Sequence, residues 1–143
     1  MQTFLPHQDF RKSLQTLDYR RLGKQRVEAM QLVKAIYIPD DGWRNHPCCN
    51  MWMDYPEALQ LDHDIALDEW VKRGYKNNMP LFRVKETEVT MPSWLGNEKL
   101  HASHRSNLLA KDYGHYGGFG WKESDDIPYY WCGYGKDEQH EQL

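Results

Sequence analysis

A chain of 143 residues can build one domain with a real core and is too short for two ordinary ones. Its formal net charge of −3 argues against a wholesale nucleic-acid binder, but the charge is unevenly spread. Residues 11–34 carry Arg11, Lys12, Arg20, Arg21, Lys24, Arg26 and Lys34 against Asp18 and Glu28, a net +5, whereas residues 123–143 carry a net −5. A polyanion is drawn to the first segment and repelled by the second.

Met1 to Pro6 reads as an extended start. Asp9 then caps a short helix carrying Phe10, Leu14 and Leu17, and a long helix is predicted from about Asp18 to Tyr37. Along it, Arg21, Lys24, Gln25, Glu28 and Gln31 share one face, while Leu22, Ala29, Met30, Val33, Ile36 and Tyr37 share the other. One face belongs to the core, and the other sets a carboxylate in a lane of cations and amides. Arg26 points toward the apolar side, so it must snorkel or meet a buried acid. Pro39-Asp40-Asp41-Gly42 ends the helix, and Trp43 to Met53 reads as a connection with a helical turn. Pro56 opens a third helix that runs to Arg73, with Gly74 as its stop.

Leu81 to Val89 is the one strand-like run, too short and isolated to found a sheet. Asn97 caps a last helix to about Lys111. From Asp112 onward, glycines alternate with aromatics, and Gly117-Gly118-Phe119-Gly120 reads as a tight aromatic-flanked turn. The expectation is a single all-α domain over residues 1–143, compact and helical, with a long irregular Gly-rich and aromatic C-terminal segment. Most rings of Tyr113, Tyr116, Phe119, Trp121, Tyr129, Tyr130, Trp131 and Tyr134 are expected to pack, with one or two left to meet an extruded base.

His101, His104 and Arg105 fall at helical spacings i, i+3 and i+4, beside Asn107, and offer donors suited to phosphate oxygens. The competing reading is an ordinary capped polar face. No zinc-type ligand spacing, phosphate-binding glycine loop, nucleophile elbow or dinucleotide fingerprint occurs, so no metal or other cofactor is expected. Three cysteines, two of them adjacent, make no disulfide framework, and there is no signal peptide or long apolar run. The expectation is a reduced, cytoplasmic, membrane-free monomer.

Several motifs together resemble the pyrimidine-dimer DNA glycosylase (phage-type endonuclease V) family. They are Leu17-Asp18, Arg21 to Ala29, Trp43-Arg44-Asn45-His46-Pro47, Lys72 to Tyr75, Pro92 to Gly96, His101 to Leu108 and Pro128 to Trp131. The resemblance implies an all-helical fold and a cofactor-free glycosylase with abasic-site lyase activity on damaged or modified pyrimidines in double-stranded DNA. It also implies an imine formed by an N-terminal amine and a catalytic glutamate that falls on Glu28. The family histidine at the start of the central helical region matches His46. Arg21 stands in place of a family histidine, Gln31 in place of a basic residue, and Gln2 in place of a small one. Because methionine is removed efficiently only before small residues, the nucleophile is expected at Met1 itself, with Gln2 next in line and Lys24 as the fallback amine. Arg20, Arg21, Arg26, His46, His101, His104, Arg105 and Asn107 are the expected DNA contacts. A noncatalytic DNA-binding module and an enzyme acting on hypermodified bases are the rival readings.

Overall fold

The computed structural model describes residues 1–132, and the part of the expected C-terminal segment that holds Tyr134 and the last acidic residues lies outside them. Within the described residues the fold is helical with no strand. The helices are α1 (Phe10–Thr16), α2 (Tyr19–Tyr37), α3 (Pro47–Trp52), α4 (Pro56–Lys72), α5 (Glu98–Lys111) and α6 (Tyr113–Tyr116).

Local chemistry starts these helices. Asp9 accepts the Lys12 N–H at the head of α1, and Asn97 accepts the Lys99 N–H at the head of α5. Pro56 occupies the first turn of α4, where its missing N–H costs nothing. Gly74 follows α4 with φ 93°, a left-handed conformation that favours glycine. The Trp43 to Met53 connection forms more helix than a single turn: His46 caps α3 and Pro47 begins it.

The centre of the molecule is the packing of α2 along α4. Leu22, Ala29, Leu32, Val33 and Ile36 of α2 are buried with Leu59, Ala66 and Trp70 of α4. Gly23 makes the close approach possible, since a Cβ there would stand 3.1 Å from the Trp70 ring. Trp52 is fully buried in α3, donating from Nε1 to Thr3 Oγ1 at 2.9 Å, with Trp94 edge-on at 5.0 Å. The non-helical residues 2–6 pass through this core and are buried throughout.

Three helix-level expectations are corrected. Gln25, expected on the polar face with Glu28, is 1 % exposed, whereas Tyr37, expected on the apolar face, is 59 % exposed. The cause is local cover: Phe4 and Asp62 bond to the Gln25 amide and enclose it, while Tyr37 is the last residue of the helix. Residues 81–89 form no strand, only a 3-10 turn at Glu86–Glu88 in an otherwise irregular run. The segment after Asp112 opens with α6 and a 3-10 turn at Gly117–Phe119, and residues 120–132 then carry no helix or strand, the irregular stretch expected there. The Tyr116 hydroxyl ties this turn to the start of α2, accepting the Asp18 N–H at 3.0 Å and donating to Asp18 Oδ1 at 2.5 Å.

Candidate active site

Glu28 lies in the middle of α2 with its side chain 19 % exposed. Its Oε2 accepts the backbone N–H of Gln2 at 3.1 Å, and its Oε1 stands 4.0 Å from Lys24 Nζ, one turn earlier. The contact joins residues 26 positions apart, so the N-terminal segment and α2 meet at the carboxylate. Around them opens a cleft of about 430 Å³. Met1, Gln2, Gln25 and Glu28 line its inner side, Arg20, Arg21, Lys24 and Lys111 supply cations, and His46, Phe4, Tyr129 and Trp131 supply rings.

Each group is held by its element. Arg20 and Lys24 are exposed on α2, while Arg21 is half-buried and donates to Asp18 Oδ2 at 3.2 Å. Burial pushes the Asp18 carboxyl up, but the Tyr116 hydroxyl and the Arg21 guanidinium outweigh it and hold the group below the usual carboxylate range. Asp18 therefore stays charged and fixes Arg21. His46 accepts the Cys48 N–H at 3.0 Å through Nδ1, and its ring meets Trp43 and Trp131 edge-on. Burial and the nearby N-terminal amine lower its pKa against the pull of Glu28, which favours a neutral imidazole. Cys48, behind Gln2, is pushed up to about 12 by burial and is an inert thiol at neutral pH. Burial also raises the Tyr129 phenol.

Met1, Gln2, Arg20, Arg21, Lys24, Glu28 and His46 are thus brought together at one cleft. The other expected DNA contacts are placed elsewhere or turned inward. Arg26 points away from this cleft, its guanidinium 4.3 Å from the Trp70 ring centre and its NH1 3.2 Å from Met79 Sδ. Of the two expectations for it, snorkelling or a buried acid, no acid is met: the guanidinium lies over an indole. It borders a second groove of about 680 Å³ between Tyr19, Gly23 and Trp70. His101 and His104 are 2 % and 1 % exposed, so neither can reach a phosphate. Arg105 donates to Pro6 O at 2.7 Å and to Glu98 and Glu123, two carboxylates that neutralise it. Asn107 bridges Ser103 O and Ile127 O at 2.8 and 3.0 Å, joining α5 to the segment after α6.

Sequence reasoning passed over Lys111 as a site residue, seeing in it only the last turn of a helix; α5 delivers it to the cleft rim. It also gave no role to Asp62, fully buried on α4, whose Oδ2 accepts from Gln25 Nε2 at 3.3 Å and whose carboxyl burial raises to about 7. No local pattern marks either residue. Among the described residues no three His, Cys, Asp or Glu side chains converge on a metal position, and no helix is long and apolar enough to cross a membrane.

A carboxylate paired with a backbone nitrogen in a cationic cleft can move a proton beside a bound polyanion. Searches of curated proteins and of solved structures return no match. Residues 1–83, which include Glu28, Gln2 and His46, match the sequence profile of the family described as pyrimidine dimer DNA glycosylase. The match covers more than half of the chain, and the chain belongs to the pyrimidine dimer DNA glycosylase family, whose substrate is DNA carrying damaged bases.

Proposed function

We propose that this glycosylase works through an imine and also cleaves abasic sites, with Glu28 and an N-terminal α-amine as its reacting groups. The observation that carries the reading is the 3.1 Å contact between Gln2 N and Glu28 Oε2 within the cationic cleft. An α-amine has an ordinary pKa of about 7.7–8.0 and keeps a usable neutral fraction at physiological pH, unlike an ordinary lysine near 10.4. The amine nitrogen forms a bond to C1′, and the bond from C1′ to the base breaks, its electron pair leaving with the base, which takes up a proton. Glu28 accepts the proton that the amine sheds and passes it to O4′ as the C1′–O4′ bond breaks, so that the ring opens to an iminium and the carboxylate faces it with a negative charge. Loss of a C2′ proton then expels the 3′ phosphate by β-elimination, and water releases the sugar from the amine. Arg20, Arg21, Lys24 and Lys111 hold the flanking phosphates, and the rings of Tyr129, Trp131 and His46 line the side against which a base can rest.

The amine belongs to Met1, or to Gln2 once Met1 is removed. Both residues line the cleft. Lys24, 74 % exposed and 4.0 Å from Glu28, is the competitor that the test must separate. Borohydride trapping on abasic duplex DNA, followed by mass spectrometry of the adduct, is expected to place the sugar remnant on the N-terminal peptide. Glu28→Gln is expected to keep DNA binding and to lose about 10²–10⁴-fold in strand cleavage. An adduct on Lys24, or undiminished cleavage by Glu28→Gln, overturns the assignment.

A further inference from the structure

Residues 4–7 belong to no helix, and residues 4–6 are buried in a fold whose described residues include no strand. Buried backbone N–H and C=O groups need partners, and here side chains provide every one. Phe4 N donates to Gln25 Oε1 at 2.7 Å, and Gln25 Nε2 returns a bond to Phe4 O at 3.1 Å. Leu5 N donates to His104 Nδ1 at 2.9 Å, and Leu5 O stands 2.7 Å from His101 Nδ1. Arg105 donates to Pro6 O, and Ser13 Oγ serves both the N–H and the carbonyl of His7.

We infer that Gln25, His101 and His104 are positioning residues, a side-chain cradle that holds the N-terminal segment in one register and so sets the Gln2 backbone nitrogen against Glu28, with Met1 lining the same cleft. Gln25 holds residue 4 while Glu28, one turn further along α2, meets residue 2. The segment therefore runs antiparallel to the helix, and α2 carries both Gln25 and the carboxylate while α5 supplies the two histidines. A turn of α-helix rises about 5.4 Å and two extended residues reach about 6.6–7.2 Å, so a slip of one residue would carry the nitrogen out of hydrogen-bonding range.

The bonding pattern also determines the tautomers. His104 accepts at Nδ1, so its ring is neutral with the proton on Nε2, an atom that is buried without a protein partner. His101 accepts the Gly96 N–H at Nε2 and therefore donates from Nδ1 to Leu5 O. Burial, with His101 and Arg105 nearby, lowers the His104 pKa to about 3, which agrees with an imidazole used as an acceptor.

This inference rests on the amine reading above, and its test separates the two. In His104→Leu the acceptor is lost at similar volume, whereas in His104→Asn the Oδ1 atom can stand where Nδ1 stood. Single-turnover borohydride trapping on abasic duplex DNA, the dissociation constant for that DNA with borohydride omitted, and amide hydrogen exchange at Phe4 and Leu5 are measured for both. His104→Leu is expected to trap about 10²-fold more slowly, the cost of a misplaced reacting group, with unchanged DNA affinity and faster exchange at those two amides. His104→Asn is expected to recover most of the rate and the protection. Should His104→Leu not fold, His101→Leu, outside the cleft lining, removes the bond to Leu5 O and is held to the same expectations.

A folded variant that traps at the wild-type rate overturns the cradle. So does a parallel loss of DNA affinity, or a His104→Asn that behaves like leucine. Acetylating the N-terminal amine of the wild type tests the other reading. If trapping survives acetylation the amine assignment falls, and exchange then decides the cradle: selective opening of Phe4 and Leu5 in His104→Leu, reversed in His104→Asn, sustains the register-holding role, and unchanged exchange removes it.

Discussion

Replacing Asp62 with asparagine tests the buried polar contact behind Gln25. Asp62 is fully buried, its Oδ2 bonded to Gln25 Nε2 at 3.3 Å and its Oδ1 without a partner. Burial raises the carboxyl from an ordinary 3.8 to about 7, against the opposing pull of the Gln25 hydrogen bond. Between those two pH values the folded protein binds a proton that the unfolded chain has released, so this group's contribution to stability falls as pH rises and is lost above about 7. At about 1.4 kcal/mol per tenfold change in the proton equilibrium, the loss is on the order of 4 kcal/mol. The substituted amide carries no such proton. It places an unpartnered N–H group where Oδ1 stood, a penalty of about 1–3 kcal/mol that does not vary with pH. Asp62→Asn should therefore be the less stable protein at pH 4 and should gain on the wild type by on the order of 4 kcal/mol by pH 8.5, a relative shift in Tm of about 10 °C. His104 contributes the opposite slope, since its lowered pKa makes stability fall as pH drops from 6.5 toward about 3. That slope is common to both proteins and cancels in their difference. Thermal unfolding followed by circular dichroism at four pH values between 4 and 8.5 measures the difference. A gap between variant and wild type that stays constant across this range would refute the reasoning.

The cleft cations and the inward-turned arginine give opposite expectations. Arg20→Ala and Lys111→Ala should each reduce the slope of log affinity for duplex DNA against log salt by about 0.9 while leaving the unfolding midpoint nearly unchanged, and a slope that does not move would take that residue off the DNA. Arg105→Ala should leave the salt slope as it is and cost about 1–3 kcal/mol of stability in urea unfolding, because it removes the Pro6 carbonyl bond and unpairs Glu123. A reduced slope with unchanged stability would return Arg105 to the DNA-facing set.

The chain's own chemistry determined the helices, because capping and periodicity act within a few residues. Asp9, Asn97 and Pro56 start helices where their side chains can serve or spare the first N–H groups, and the apolar spacing of Leu22, Ala29, Val33 and Ile36 marks a core face. The charge lane that singled out Glu28 was legible for the same reason. What covers a polar face was not, since periodicity says which residues share a side and says nothing of what lies against it. His101, His104 and Arg105 have the spacing of a phosphate-binding face, yet they bond to Leu5 and Pro6, 96 to 99 residues away. Gln25 has the spacing of Glu28's neighbours, yet Phe4 and Asp62 enclose it. Lys111 reaches the cleft rim only because α5 packs where the N-terminal segment needs its histidines. A buried non-helical segment in a sheetless fold must draw its hydrogen bonds from distant side chains, and only tertiary structure decides which polar residues those are.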